Sequence, residues 1–224
     1  MASTNQMLLW LLTSVVAAML ALALWYVVLR SANRKRSCRA LRLIEGALAG
    51  HGAVVGVHWT SASRFHAQLR IFTAPFQHAS VDVQLTPREF PLLWLMSAVR
   101  NQPEMVTFEA DLGLAPDFDL DVQNHRWIGR TRRLNPRRPV QWQVEHTQPF
   151  LITTREEWRG ELSPMMDALL AARQREFHAV RYRRRSPQFS ATIPLDAIPP
   201  SADPRSGLFE ALRELAGGAS ARRS

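Results

Sequence analysis

Apolar and polar positions divide the chain into two unequal parts. Met7 to Leu29 is a run of twenty-three residues without a charge, broken only by the hydroxyls of Thr13 and Ser14 and by aromatics near its ends. At about 1.5 Å per residue, a helix of this length crosses a hydrocarbon core about 30 Å thick. Trp10 lies near one end and Trp25 and Tyr26 near the other, where an aromatic belt belongs. This segment is expected to be a transmembrane helix, with residues 1–6 a short N-terminus and residues 30–36 a basic juxtamembrane segment.

Beyond it the periodicity changes. Residues 37–49 repeat apolar positions at three and four (Ala40, Leu41, Ile44, Ala47, Leu48), which predicts an amphipathic helix ended by Gly50-His51-Gly52. Three strand-like runs follow, 53–60, 65–73 and 79–85. In the second, Phe65, Ala67, Leu69 and Ile71 alternate with His66, Gln68, Arg70 and Phe72; in the third, Val81, Val83 and Leu85 alternate with polar residues. A period of two with one apolar side predicts a meander with one face buried. Thr86-Pro87-Arg88-Glu89 has the form of a capping box, and Pro91 then delays the regular helix to residues 92–100. Leu92 to Met96 are apolar all round, so this helix is expected to be buried in the domain, the alternatives being contact with a membrane or a partner.

Further strands are expected at 105–111, 117–123, 140–146 and 149–153. A second capping box starts at Thr154, and a helix runs from Ser163 to about Arg175. A last hairpin, 177–184 and 188–195, turns at Ser186-Pro187. A proline-rich connector begins at Ala197, and a C-terminal amphipathic helix, 205–216, carries Leu208, Leu212 and Leu215 on one face, with Gly217-Gly218 stopping it and residues 219–224 a disordered tail. The expected fold is α+β: one N-terminal transmembrane helix, then a mainly antiparallel sheet domain with three or four packed helices, the soluble unit spanning 37–196 and the connector and C-terminal helix 197–218.

Charge fixes the expected orientation. Arg30, Arg34, Lys35, Arg36, Arg39 and Arg42 follow the apolar run and no basic residue precedes it. The positive-inside rule places the N-terminus outside and the domain in the cytoplasm, as in a bacterial inner membrane. The missing basic n-region and the length of the run argue for an uncleaved signal anchor rather than a secretory signal. The chain carries net +9, from twenty-seven arginines and one lysine against nineteen acids, a bias for which a GC-rich genome is the plain explanation. Its one cysteine, Cys38, precludes an internal disulfide.

Three candidate chemistries emerge. The juxtamembrane cations (Arg34, Lys35, Arg36), a basic loop (Arg126, Arg130, Arg132, Arg133, Arg137, Arg138, with Trp127) and a hairpin cluster (Arg181, Arg183, Arg184, Arg185) could meet an acidic protein partner or anionic headgroups. Pairing of these cations with the acidic segment 104–121 is the plainer reading. No nucleic-acid motif accompanies them. Asp117, Asp119 and Asp121 alternate with apolar residues, expected as a strand face. The calcium loop they superficially resemble would need glycine at Val122 and glutamate at Ile128. His58 and His66 could meet across a hairpin, and with His125 and the three aspartates they are the candidate groups of an enzyme. Yet no phosphate loop, nucleophile elbow, dinucleotide fingerprint or zinc-ligand motif occurs. The sequence therefore points to a single-pass membrane scaffold, accessory or assembly protein with no assigned catalytic residue, metal or cofactor, the alternative being a membrane-tethered enzyme with a histidine/aspartate site.

Overall fold

The computed structural model describes residues 2–100, 102–124, 142–147, 150–155, 177–198 and 208–220. Helix α1 (Ala2–Leu48) runs unbroken through the apolar run, the basic segment and the amphipathic stretch that the sequence suggested as separate pieces. Nothing between Leu29 and Ser37 is a glycine or proline, so no residue interrupts the backbone ladder. Its 47 residues extend about 70 Å. The apolar part, from Met7 to Val28, is exposed along its length and is long and apolar enough to cross a membrane. The last third packs on the domain through a stripe of Asn33, Ser37, Ala40, Ile44 and Leu48, all buried. Gly50, at φ +85°, closes the helix in a conformation that favours glycine.

The domain is one antiparallel sheet of nine strands among the described residues, in the order β1-β2-β3-β4-β9-β8-β5-β7-β6. The strands are β1 (Gly52–Trp59), β2 (Arg64–Ile71), β3 (Phe76–Gln84), β4 (Met105–Leu112), β5 (Leu120–Asn124), β6 (Trp142–Thr147), β7 (Phe150–Arg155), β8 (Ala179–Tyr182) and β9 (Phe189–Pro194). The α+β expectation holds in this coarse form. Alternation sets the faces as expected: Phe65, Ala67, Leu69 and Ile71 of β2 and Val81 and Val83 of β3 are all buried. Gly52 sits where a Cβ would lie 2.5 Å from the Arg70 carbonyl oxygen, so only glycine lets β1 start so close to β2. Val55 is the extra residue of a bulge in β1 and is left exposed.

Two further α-helices, α2 (Pro91–Arg100) and α3 (Leu208–Ser220), and a 3-10 turn at Leu195–Ala197 complete the described part. Helix α3 buries Phe209, Ala211, Leu212, Leu215 and Ala216 against the sheet face that also receives α1. Phe209 joins Phe76, Phe108 and Phe189 in an aromatic cluster, and the Tyr182 hydroxyl donates to the Leu215 carbonyl at 2.7 Å. Burial pushes the Tyr182 phenol well above its usual range. Gly217-Gly218 do not stop this helix, which continues to Ser220.

Several expectations need correction. Thr154 is not a cap: it lies within β7, opposite Leu120. The strand expected over 117–123 begins only at Leu120; Phe118, on the apolar side as expected, packs on Tyr182 ahead of it, ring centroids 6.0 Å apart. Glu89 does not close a capping box. Helix α2 starts at Pro91, whose ring disfavours a helical residue before it, and the Trp94 amide bonds the Phe90 carbonyl at 2.8 Å. The expected burial of α2 is also overturned: only its Ser97 is buried. The helix expected over 163–175 and the basic loop 126–138 lie outside the described residues.

Candidate functional site

Strand register divides the sheet into two ends. At one end lie the β1–β2 turn, the end of β3, the start of β4 and the end of β9, since Arg64 pairs with Gln84, Gln84 with Met105, and Met105 with Pro194. The apolar part of α1 leaves from this end, because the Ser37 hydroxyl donates to the Ala62 carbonyl at 2.8 Å. At the other end lie the α1–β1 turn, the start of β3 and the β8–β9 turn, with the Gln188 side-chain carbonyl accepting from the Leu112 amide at 2.9 Å. Leu48 is about 22 Å along α1 from Asn33.

The first end holds a cleft of about 850 Å³ between α1 and the β1–β2 turn. One wall is α1, whose Arg30, Arg34, Cys38 and Arg42 recur every fourth residue, with Lys35 and Arg39 beside them. The other is Trp59 to Ala62, and Tyr26 and Val27 form the rim. Four arginines and a lysine line it, and no carboxylate does. Two aromatics hold the cations in place: the Arg34 guanidinium lies 4.1 Å from the Trp59 ring centroid, and Arg30 lies 5.7 Å from the Tyr26 ring while donating to its hydroxyl at 3.3 Å. Guanidinium forks at this spacing can bind phosphate or carboxylate oxygens bidentately.

Of the six cations singled out after the apolar run, Arg30, Arg34, Lys35, Arg39 and Arg42 line this cleft. Arg36 points away from it and pairs with Glu104 at 3.7 Å, alongside Arg88 at 3.6 Å. In the hairpin cluster the guanidinium of Arg181 is engaged within the sheet. Arg181 faces Asp121 across β8 and β5 and meets it at 3.4 Å, and the Arg184 amide donates to Asp119 at 3.1 Å. Arg183 and Arg185 are exposed on the β8–β9 turn, at the sheet end opposite the cleft. The Arg34–Lys35 and Arg181–Arg185 groups therefore do not form one patch. Arg126, Arg130, Arg132 and Arg133 lie outside the described residues, as do Arg137, Arg138, Trp127 and His125.

The aspartates are not the open ridge that alternation suggested. Asp121 is buried against Arg181, and Asp119 holds a backbone amide. His58 and His66 are direct cross-strand partners, as expected, and Asp82 follows on β3 opposite His66. Asp82 is held by Arg64 at 3.3 Å. Strands β2 and β5 stand five steps apart in the sheet, roughly 24 Å, so the histidine pair and the three aspartates do not share a site. Among the described residues no group of three histidine, cysteine or acidic side chains is placed to hold a metal. His51 stacks on Phe209 at 4.7 Å and approaches Glu210 at 3.6 Å, helping to seat α3.

A polar knot missed by sequence reasoning lies beside the cleft. Glu89 is buried, and its carboxylate accepts from the Asn33 amide and, at 3.2 Å, from the Ser63 hydroxyl. Asn33 also donates to the Thr86 carbonyl at 3.1 Å. This ties α1 to both the β1–β2 turn and the segment leading into α2. The only signal for it on α1 was a lone asparagine, Asn33, amid arginines. Comparison with known proteins returned no matching family model and no matching curated protein.

Proposed function

We propose that the chain is a single-pass membrane-anchored adaptor, of the scaffold, accessory or assembly kind, whose cytoplasmic domain engages anionic groups at the bilayer surface. The observation that carries this reading is the basic cleft at the foot of the apolar part of α1, with its five cations and no lining acid. Its rim residues, Tyr26 and Val27, belong to the last turn of the apolar run, so the cleft opens at headgroup depth if that run lies in lipid. Each cation near an anionic surface contributes about 1 kcal/mol, and four or five together make a preference for acidic lipid or an acidic partner segment. The excess of cations on the domain side supports the orientation with the N-terminus outside. The distance between the histidine pair and the aspartates weighs against the enzyme reading.

Native mass spectrometry of the detergent-purified full chain tests this. Wild type is expected to retain added phosphatidylglycerol in preference to phosphatidylcholine, and a variant with Arg34→Gln, Lys35→Gln, Arg39→Gln and Arg42→Gln is expected to lose the preference. Equal retention by both proteins overturns the reading. Cys38, half-buried in the cleft wall, reports orientation: a membrane-impermeant maleimide should label it in inverted vesicles and not in intact cells, and the reverse pattern puts the domain outside.

A further inference from the structure

We propose that α2 is a second membrane-embedded element, lying in the leaflet surface next to α1 rather than in water. This rests on the reading of α1 as a membrane span. Leu92, Leu95 and Val99 are 70%, 54% and 79% exposed, and Phe90, Leu93 and Met96 are exposed as well. From Pro91 to Val99 there is no charge, and Arg100 is the first. Such a surface, exposed to water, is the kind of apolar patch that marks a membrane or partner contact.

Its position selects the bilayer as the occupant. Trp94 packs edge-on against Trp25, ring centroids 6.1 Å apart, and Phe90 packs against Tyr26 at 6.0 Å. The Trp25 indole donates to the Arg88 carbonyl at 3.3 Å. Trp25 and Tyr26 are the aromatics at the domain-side end of the apolar run, the depth at which such rings settle in a bilayer. The exposed apolar surface of α2 is thus continuous with that of α1 at the boundary between acyl chains and headgroups. Ten residues rise about 15 Å, far short of a crossing, which suits an interfacial segment. Most interfacial helices keep a charged face towards water. Here α2 has no charge before Arg100, and Ser97 is the one residue turned inward.

The segment is also braced to hold this position. On its entry side Glu89 is bound by Asn33 and Ser63. On its exit side Glu104 meets Arg36 of α1 and Arg88 of the entry segment. Both feet stand on α1 just beyond the apolar run, so α2 is held beside the domain-side end of that run.

Fluorescence quenching on the full chain in phosphatidylglycerol/phosphatidylcholine liposomes tests the proposal. In a Cys38→Ser background, an environment-sensitive nitrobenzoxadiazole probe is attached at Leu95→Cys or Val99→Cys. Leu20→Cys within the apolar run and Val55→Cys on the β1 bulge serve as controls. The expected result is blue-shifted emission at 95 and 99, quenched by shallow doxyl-labelled lipid and not by aqueous iodide. Val55 should show the opposite, and Leu20 should be quenched by deep doxyl lipid. If Leu20 is lipid-quenched while 95 and 99 are quenched by iodide, the proposal falls and the span stands. If 95 and 99 are shielded from both quenchers, α2 is covered by protein, a second copy included, and the proposal falls. If Leu20 is not lipid-quenched, the span and the proposal fall together.

Discussion

Helices α2 and α3 are both short and opposite in fate: α3 is amphipathic, with Glu210, Arg213 and Glu214 on its polar side, and α2 is uncharged up to Arg100. Each carries three leucines, yet α3 buries Phe209, Leu212 and Leu215 in the sheet while α2 leaves Leu92, Leu95 and Val99 uncovered. Topology adds to that difference in pattern. Helix α3 lies across the apolar face of the sheet, where Phe76 and Tyr182 wait for it. Helix α2 links the end of β3 to the start of β4, so it stays at the end of the sheet from which the apolar part of α1 departs. An apolar helix must cover its surface with something, and its place in the chain decides what is within reach.

Paired truncations would break this contrast most sharply. Phe209→Ala should cost about 3–5 kcal/mol, through lost transfer energy and the cavity left in the aromatic cluster, whereas Leu92→Ala should shift stability by less than about 0.5 kcal/mol in detergent. Thermal unfolding of the two variants side by side measures the gap, and equal losses would remove the distinction drawn here. Next in size, Glu89→Ala strips the acceptor from the Asn33 amide and the Ser63 hydroxyl and should cost about 1–3 kcal/mol by denaturant titration. Gly217→Ala should act in the other direction. A Cβ there meets nothing within 4 Å, and removing a glycine from a helix interior is expected to gain about 0.5–1 kcal/mol. Smallest is a pH effect just ahead of β8, at His178. Burial, with Arg181 nearby, holds the His178 imidazole below its usual pKa. The unfolded chain therefore binds a proton there that the folded chain does not. Stability from this residue is complete above pH 6.5 and declines as pH falls below it, and His178→Gln should flatten that part of the melting-temperature profile.

Much of this was legible in the sequence where periodicity speaks for itself. The apolar run of α1 and the alternation of β2 and β3 need no tertiary information, because a charge-free stretch of that length and a strict period of two each admit few other readings. Asn33 and Ser37 escaped notice because a buried polar residue carries no apolar signature; only the carboxylate and carbonyl that meet them reveal the stripe. Glu89 was misplaced because Pro91 moves the helix start two residues past it. Arg36 and Arg34 are two apart on one helix, yet one pairs with Glu104 and the other stacks on Trp59, a split that follows from helical phase combined with what lies on either side. The hairpin arginines looked equivalent to the juxtamembrane ones until strand pairing set Arg181 opposite Asp121.

The unbroken course of α1 has a mechanical corollary. Without a joint between the greasy rod and the sheet, the globule cannot swivel independently, and any tilt of the rod is handed on at full amplitude. Adding one residue after Leu29 would turn the cleft by about 100° and lift it by about 1.5 Å relative to Trp25, breaking the register between the cations and the aromatics that precede them.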